Sequence, residues 1–108
     1  MPTIEDWQAL RVRTGRVVRA EPNHGARFPA VCLWINFGDL GELQSSAKIT
    51  DLYKPEDLLG RDVVAVTGFE PIRVNGFRSD VLVLGAMTPA GVVLLRPDDS
   101  VDSGTIVA

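Results

Sequence analysis

The stretch that decides the fold runs from Arg61 to Ala86 and reads RDVVAVTGFEPIRVNGFRSDVLVLGA. Two apolar runs rich in β-branched residues, Val63 to Phe69 and Val81 to Leu84, flank a polar centre. They predict strands, because branched side chains pack well on a half-buried pleated surface. Between them, Asn75-Gly76 predicts a tight hairpin turn, since primed turns need positive φ at both central positions.

Polar residues border that turn: Arg73, Arg78 and Ser79. The stretch therefore combines core strands with a cationic edge, and we expect the function to lie at this edge. A second group of arginines lies in a short N-terminal segment whose only acid is Glu21: Arg11, Arg13, Arg16, Arg19 and Arg27. Although the net charge is -3, such a segment can present a local positive field. Alternatively, these arginines only contribute to solubility on the solvent-exposed face of a strand.

Length and composition indicate a small globular protein. The 108 residues predict a single domain over 1–108. No apolar run approaches the roughly 20 residues of a bilayer-spanning helix, so we expect no membrane insertion. The N-terminus lacks the apolar core of a signal peptide, and the single Cys32 cannot form an internal disulfide. These features predict a cytoplasmic location.

Alternation and turn signals divide the rest of the chain into short elements. Alternating apolar and polar residues predict a hairpin made of strands Val31–Phe37 and Glu42–Ile49. Pro55, the acids after it and a closing Gly60 predict a helix of one to two turns. The other predicted elements are a helix over Thr3–Leu10, strands over Leu10–Glu21, Arg61–Phe69, Asp80–Ala86 and Val92–Leu95, and an extended tail over Arg96–Ala108. Gly15 interrupts the first strand and predicts a bulge or a sharp bend there.

Together these elements predict an all-β protein. The expected architecture is a five-stranded antiparallel barrel of the oligonucleotide/oligosaccharide-binding (OB) fold. It carries a short N-terminal helix, a short helix between the third and fourth strands, and a C-terminal β extension. The open face of such a barrel commonly binds single strands or peptides.

The chain termini carry apolar residues that call for a partner surface. Ile4, Trp7 and Leu10 recur at helical spacing, on a helix too short to be stable alone. This helix either covers one end of its own barrel or packs on a second subunit. Ile106 lies in an apolar C-terminal run that predicts a segment lying on a neighbour. We expect the extensions 1–10 and 87–108 to form a homodimer through these four residues.

Several blocks of the chain resemble the tRNA-binding domain family. They follow one another in order: Arg11–Pro22, Ala26-Arg27, Tyr53–Arg61 and Asn75–Ala86. Two further blocks, Gln44–Thr50 and Ser79–Gly85, resemble the free-standing, secretion-related chaperones of the CsaA type within this family. The resemblance implies an OB-fold barrel, a homodimer and no catalysis or cofactor. It also implies binding of unfolded or pre-export polypeptides and of the export motor, whereas related members bind tRNA by shape.

One block departs from the tRNA-binding members of that family. Those members carry Ser-x-Gly-Met in the last hairpin, where this chain has Ser79-Asp80-Val81. The family pattern also includes a lysine-rich surface, and this protein is acidic. Because an aspartate at this position would repel phosphate, the departure favours a polypeptide over tRNA as the ligand.

Residues that could carry catalysis or bind a metal are sparse. The chain contains no glycine-rich phosphate loop. A loop residue, His24, and the distant Cys32 form neither a metal-ligand set nor a nucleophile with its base. The adjacent Asp98 and Asp99 would face opposite ways in an extended chain. The sequence therefore predicts a binding protein without catalytic residues, metal or cofactor.

Two binding hypotheses remain, and each names its residues. In the first, a groove holds extended, partly apolar polypeptide through Trp34, Phe69, Ile72 and Phe77, with Arg73, Arg78 and Lys48 as a charged rim. In the second, the following residues bind an RNA backbone: Arg11, Arg13, Arg16, Arg19, Arg27, Lys48, Arg73, Asn75, Arg78 and Ser79. Trp34 is open to a further interpretation, since it can contact the dimer partner instead of the ligand.

Overall fold

The computed structural model describes residues 1–24, 28–74 and 76–108. Its main sheet has five antiparallel strands in the order β3-β2-β1-β4-β7. The strands are β1 (Val12–Pro22), β2 (Val31–Asn36), β3 (Glu42–Ala47), β4 (Asp62–Val66), β5 (Ile72–Val74), β6 (Phe77–Ser79), β7 (Leu82–Val83), β8 (Gly85–Thr88) and β9 (Gly91–Leu94). The helices are α1 (Ile4–Ala9) and α2 (Pro55–Leu58), and Gly38–Leu40 forms a 3₁₀ turn between β2 and β3. The predicted all-β class, the barrel and both short helices are confirmed.

Strand β1 is long enough to serve both halves of the barrel. Its first half, Val12 to Arg16, pairs with β4, and its second half, Arg16 to Pro22, pairs with β2. A register shift between Val17 and Arg19 bends the strand, as bulges do. The bulge therefore lies between Val17 and Arg19, and its predicted position at Gly15 is wrong, because Gly15 pairs with Val63 in regular register. Gly15 has another role, since a Cβ there would come within 2.6 Å of Ile35 Cγ2.

The barrel is nearly closed between β3 and the segment that joins β6 to β7. Asp80 N–H donates to the Gln44 carbonyl at 2.7 Å, and Gln44 N–H donates to Asp80 Oδ2 at 3.1 Å. Further along, Ser46 N–H donates to Ser79 Oγ at 3.2 Å. The described strands β3 and β6 form no backbone ladder. The Ser79 side chain therefore connects the two strands at this part of the seam.

The core fills the space inside this barrel. Leu58 of α2 is fully buried, and the helix is held to β1 where Gly60 N–H donates to the Val17 carbonyl at 2.8 Å. The cluster comprises Val17, Val31, Leu33, Ile35, Phe37, Ile49, Leu58, Val63, Ala65, Val81 and Leu94. A second cluster of Val12, Val64 and Val66 lies under Leu10 and Val107.

The predicted strand Asp80–Ala86 is wrong as one continuous element. Asp80 turns to the barrel seam, and Leu84 N–H donates to Val64 while its carbonyl accepts from Leu95. The chain therefore leaves the main sheet after β7 and forms a separate β8–β9 ribbon. Similarly, β4 ends at Val66 rather than Phe69, because Gly68 N–H donates to the Leu10 carbonyl at the end of α1.

The C-terminal residues lie along β1. Thr14 N–H donates to the Thr105 carbonyl at 2.9 Å, and Gly104 N–H donates to the Thr14 carbonyl at 2.8 Å. Val107 N–H donates to Val12, and Arg13 forms an isolated bridge with Ile106. This edge of β1 is thereby covered by the chain's own C-terminus. Neither described helix has the length and hydropathy of a membrane span.

Candidate ligand-binding groove

The β5–β6 ribbon has two chemically different faces. Its register pairs Ile72 with Ser79, Arg73 with Arg78, and Val74 with Phe77. Residues directly opposite in an antiparallel pair share a face, and neighbours along a strand alternate. One face therefore carries Ile72, Val74, Phe77 and Ser79, and the other carries Arg73 and Arg78. Gly76, in the turn, has φ of 78°, whereas Asn75 lies outside the described residues.

An apolar groove of about 330 Å³ lies beside the first face. Ile72 is 64% exposed and Leu82 is 49% exposed, so much of the lining is open to a ligand. The lining residues are Ser46, Phe69, Glu70, Ile72, Val74, Ser79, Asp80, Val81 and Leu82. The structure thus brings together two residues of the polypeptide hypothesis, Phe69 and Ile72.

Trp34 and Phe77 meet next to each other on the outer surface of the barrel. Their rings are 5.6 Å apart and nearly perpendicular. The Arg19 guanidinium lies 4.4 Å from the centre of the Trp34 ring, a cation–π contact. Because these contacts use the aromatic surface of Trp34, the residue attaches the β5–β6 ribbon to β2. Neither of these two aromatic residues lines the groove.

The charged residues of the polypeptide hypothesis are placed apart from the groove lining. Arg73 and Arg78 lie on the opposite face of the ribbon, where Arg73 Nη1 donates to the Gly76 carbonyl at 3.1 Å. Lys48 Nζ lies 4.9 Å from the centre of the Phe28 ring. The groove itself is bordered by acids instead, namely Glu70 and Asp80.

The arginines of the RNA hypothesis that lie in described strands are spread over β1 and the β5–β6 ribbon. Arg13 Nη1 donates to the Gly104 carbonyl, whereas Arg19 lies six positions along β1, about 20 Å away in an extended strand. Ion pairs in the described part of the chain join Arg16 to Asp62 at 2.9 Å, Arg19 to Glu21 at 2.6 Å and Arg78 to Asp80 at 2.7 Å. Arg11 is exposed with φ of 48°, and Arg27 lies outside the described residues.

Ser79 faces the barrel seam rather than solvent. It is 7% exposed, and its hydroxyl accepts from Ser46 N–H and contacts the Ser45 hydroxyl at 3.4 Å. A hydroxyl engaged in this way closes the barrel and has little surface left for an RNA backbone.

Three of the four predicted dimer residues line two neighbouring apolar hollows. One hollow, of about 570 Å³, is lined by Ile4, Trp7, Ile106 and neighbouring residues, and the other, of about 530 Å³, also contains Trp7. Ile4 is 70% exposed and Ile106 is 60% exposed, while Leu10 packs on the second core cluster of its own chain. Leu95 and Val101 extend this apolar surface.

Sequence reasoning missed part of the groove. The lining includes Val74, Val81 and Leu82, which the sequence predicts as core or turn residues, and Glu70, which neither binding hypothesis names. Apolar and basic residues alternate at Ile72, Arg73 and Val74. This alternation is the sequence signal that distinguishes the apolar face of the ribbon from its arginine face.

The described residues contain no cluster of potential metal ligands that the sequence overlooked. Within 1–24, 28–74 and 76–108, no three His, Cys, Asp or Glu side chains come together to hold a metal ion. Burial, and secondly the nearby Glu21 carboxylate, raises the pKa of the Cys32 thiol. A raised pKa lowers the thiolate fraction at neutral pH, and the thiolate is the nucleophile.

We therefore expect Cys32 to react slowly with iodoacetamide in the folded protein. At about pH 8, alkylation should be at least tenfold slower than in urea, because the native thiol is both buried and protonated. Mass spectrometry of timed samples measures both rates. Equal rates in the two conditions would contradict this placement of Cys32.

The fold and the groove define a class of protein: a small OB-type barrel with an open apolar groove on its surface. The family model described as "Putative tRNA binding domain" matches residues 12–106. The chain belongs to this tRNA-binding domain family, as the sequence resemblance indicated.

Solved structures of free-standing members are similar over the whole chain. The chaperone CsaA of Bacillus anthracis str. Ames is 49% identical, covers 100% of this chain and 99% of its own, and has a TM-score of 0.93. The CsaA chaperone protein of Picrophilus torridus is 39% identical, covers 100% of both chains, and has a TM-score of 0.94.

Curated relatives include a much larger enzyme. The methionine–tRNA ligase of Methanothrix thermoacetophila is 36% identical over 101 residues, which cover 94% of this chain but 15% of the enzyme. The chain thus spans a small fraction of the length of that relative.

Proposed function

We propose that this chain is a non-enzymatic, cytoplasmic chaperone that binds unfolded or pre-export polypeptides in the groove. The observation that supports this most is the apolar lining beside the β5–β6 ribbon. Its volume of about 330 Å³ is roughly twice that of the ~150 Å³ apolar cavity that accepts a benzene ring. The groove can thus take two apolar side chains of an extended guest.

Charge supports the same choice of ligand. Three of the arginines that an RNA backbone would need are paired with carboxylates in the described part of the chain. Contacts between unpaired basic side chains and phosphates supply much of the affinity for nucleic acids. The pairing of these arginines therefore lowers the affinity for RNA more than the affinity for an apolar polypeptide. The similarity to CsaA chaperones fits a polypeptide guest and, with it, a role next to the export motor.

The proposed assembly is a homodimer of single-domain chains. The extensions 1–10 and 87–108 carry the exposed apolar residues Ile4, Trp7 and Ile106, which line adjoining hollows. Contiguous apolar surface of this kind is typical of a protein–protein interface. A second copy supplies a matching surface, because a two-fold interface brings the same patch of each subunit together.

Binding of tRNA is the second candidate function, and one observation favours it. The family model and the aminoacyl-tRNA ligase relatives connect this barrel with tRNA. In that case Arg11, Arg13, Lys48 and Arg73, which have no acid within ion-pair distance among the described residues, would contact phosphates.

An Ile72→Asp variant tests the groove. Ile72 is 64% exposed, so the barrel should fold, but an apolar guest would meet a carboxylate. We expect binding of a labelled, permanently unfolded polypeptide to weaken about tenfold or more, because a buried aliphatic side chain contributes roughly 1.5–3 kcal/mol. Fluorescence anisotropy measures the affinity.

The matched control is Leu59→Asp, an aliphatic residue of similar exposure, 57%, that follows α2. It should bind the polypeptide as the unmodified chain does. Equal affinity of Ile72→Asp and Leu59→Asp for the polypeptide would contradict the proposal that the polypeptide binds in the groove.

A further inference from the structure

The outer face of the β5–β6 ribbon presents two guanidinium groups side by side. Arg73 and Arg78 are directly opposite in the strand register, which places their Cβ atoms about 4.5–5.5 Å apart. Both residues are exposed. Like charges in this position repel each other, so an anion next to the pair stabilises it. Two adjacent arginines also offer paired N–H donors that match the oxygens of a phosphate.

The anion in this structure is the chain's own Asp80. Its Oδ1 accepts from Arg78 Nε at 2.7 Å. The Asp80 side chain is 11% exposed, whereas that of Arg78 is 55% exposed. The carboxylate therefore lies beneath the guanidinium and takes up one of the donors that a phosphate would use.

Asp80 is also part of the barrel seam. Its Oδ2 accepts from Gln44 N–H, its own N–H donates to the Gln44 carbonyl, and Gln44 Nε2 donates to the Arg78 carbonyl at 2.7 Å. These hydrogen bonds form part of the barrel seam between β3 and the segment that joins β6 to β7. The Asp80 carboxylate is thus placed next to Arg78 by the same residues that close the barrel.

We propose that Asp80 determines the ligand class of this barrel, because it neutralises a two-arginine phosphate site while it holds the seam. The inference rests on the proposed function in one respect: if the barrel binds polypeptide, Asp80 explains why it selects polypeptide rather than RNA. Removal of the charge with retention of the seam should uncover the phosphate site.

Asp80→Asn is the variant that separates the two roles. The asparagine side-chain oxygen can still accept from Gln44 N–H, but its amide does not neutralise Arg78. The control is Asp98→Asn, which removes the same charge from an exposed residue of the C-terminal tail. The probe is a fluorescein-labelled tRNA transcript, titrated at low and moderate potassium chloride.

We expect Asp80→Asn to bind the transcript about tenfold more tightly at low salt than Asp98→Asn. The slope of log affinity against log salt should steepen by roughly 0.7 to 1.8, one or two phosphate contacts. The gain should vanish in Asp80→Asn with Arg78→Ala. Equal binding by Asp80→Asn and Asp98→Asn, both folded by circular dichroism, would overturn the proposal.

A second measurement applies even if Asp80→Asn fails to fold. In the otherwise unmodified chain, Arg78→Ala should leave tRNA affinity and its salt slope unchanged, because Asp80 already occupies that guanidinium. A shallower slope in Arg78→Ala would show that Arg78 contacts phosphate despite Asp80 and would contradict the proposal. Failure of the unmodified chain to bind unfolded polypeptide would count against the proposed function alone.

Discussion

A Phe37→Ala variant is expected to lose about 3 to 5 kcal/mol of unfolding free energy, the range for a phenylalanine removed from a core. Phe37 is fully buried, and a Cβ on Gly15 would come within 2.8 Å of its ring, so little empty space surrounds it. Its N–H also donates to the Gly41 carbonyl at 2.9 Å, which fixes the residue at the end of β2. Urea denaturation measures the loss.

The control for this variant is Leu40→Ala in the adjoining 3₁₀ turn. Leu40 is 44% exposed, and we expect a change within about 0.5 kcal/mol, as for most surface positions. Should Phe37→Ala cost no more than Leu40→Ala, the packing of the barrel around Phe37 would be incorrect.

The second large effect concerns the assembly. Ile4→Asp combined with Ile106→Asp is expected to halve the mass measured by sedimentation equilibrium. Both side chains are exposed in the single chain, so two carboxylates should not disturb its core, but they would be buried without partners between two subunits.

Point variants are a sharper test of the dimer than deletion of residues 1–10. The Leu10 carbonyl accepts from Gly68 N–H, and the Leu10 side chain packs on the second core cluster, so deletion would also damage the barrel. A matched control is Leu52→Asp with Leu59→Asp, which lie outside the proposed interface. An unchanged mass for the Ile4 and Ile106 variant would contradict the homodimer.

The barrel could be predicted because its signals are local. The alternation in Val31–Asn36 and the proline that starts α2 each indicate one structure, and the observed elements agree. The ends of strands were harder to predict, because partners distant in sequence decide them. Gly68 lies beyond the end of β4 because its N–H donates to Leu10. Asp80 interrupts the predicted strand because its N–H donates to Gln44. No propensity within either segment reveals that partner.

The candidate site was predicted in part for a similar reason. Phe69 and Ile72 were identified because they are large apolar residues near a turn, and both line the groove. The charged residues were grouped by type alone. Sequence shows that Arg16, Arg19 and Arg78 are arginines, but only the fold shows that Asp62, Glu21 and Asp80 lie beside them.

The response of binding to salt tests the central claim most directly. The unmodified chain is titrated with a labelled, permanently unfolded polypeptide and with a tRNA transcript over the same range of potassium chloride. We predict measurable polypeptide binding whose affinity stays flat or rises as the potassium chloride concentration increases, because apolar burial drives it. No measurable polypeptide binding, together with a tRNA slope of about −3.5 to −4.5, the value for five phosphate contacts, would contradict it.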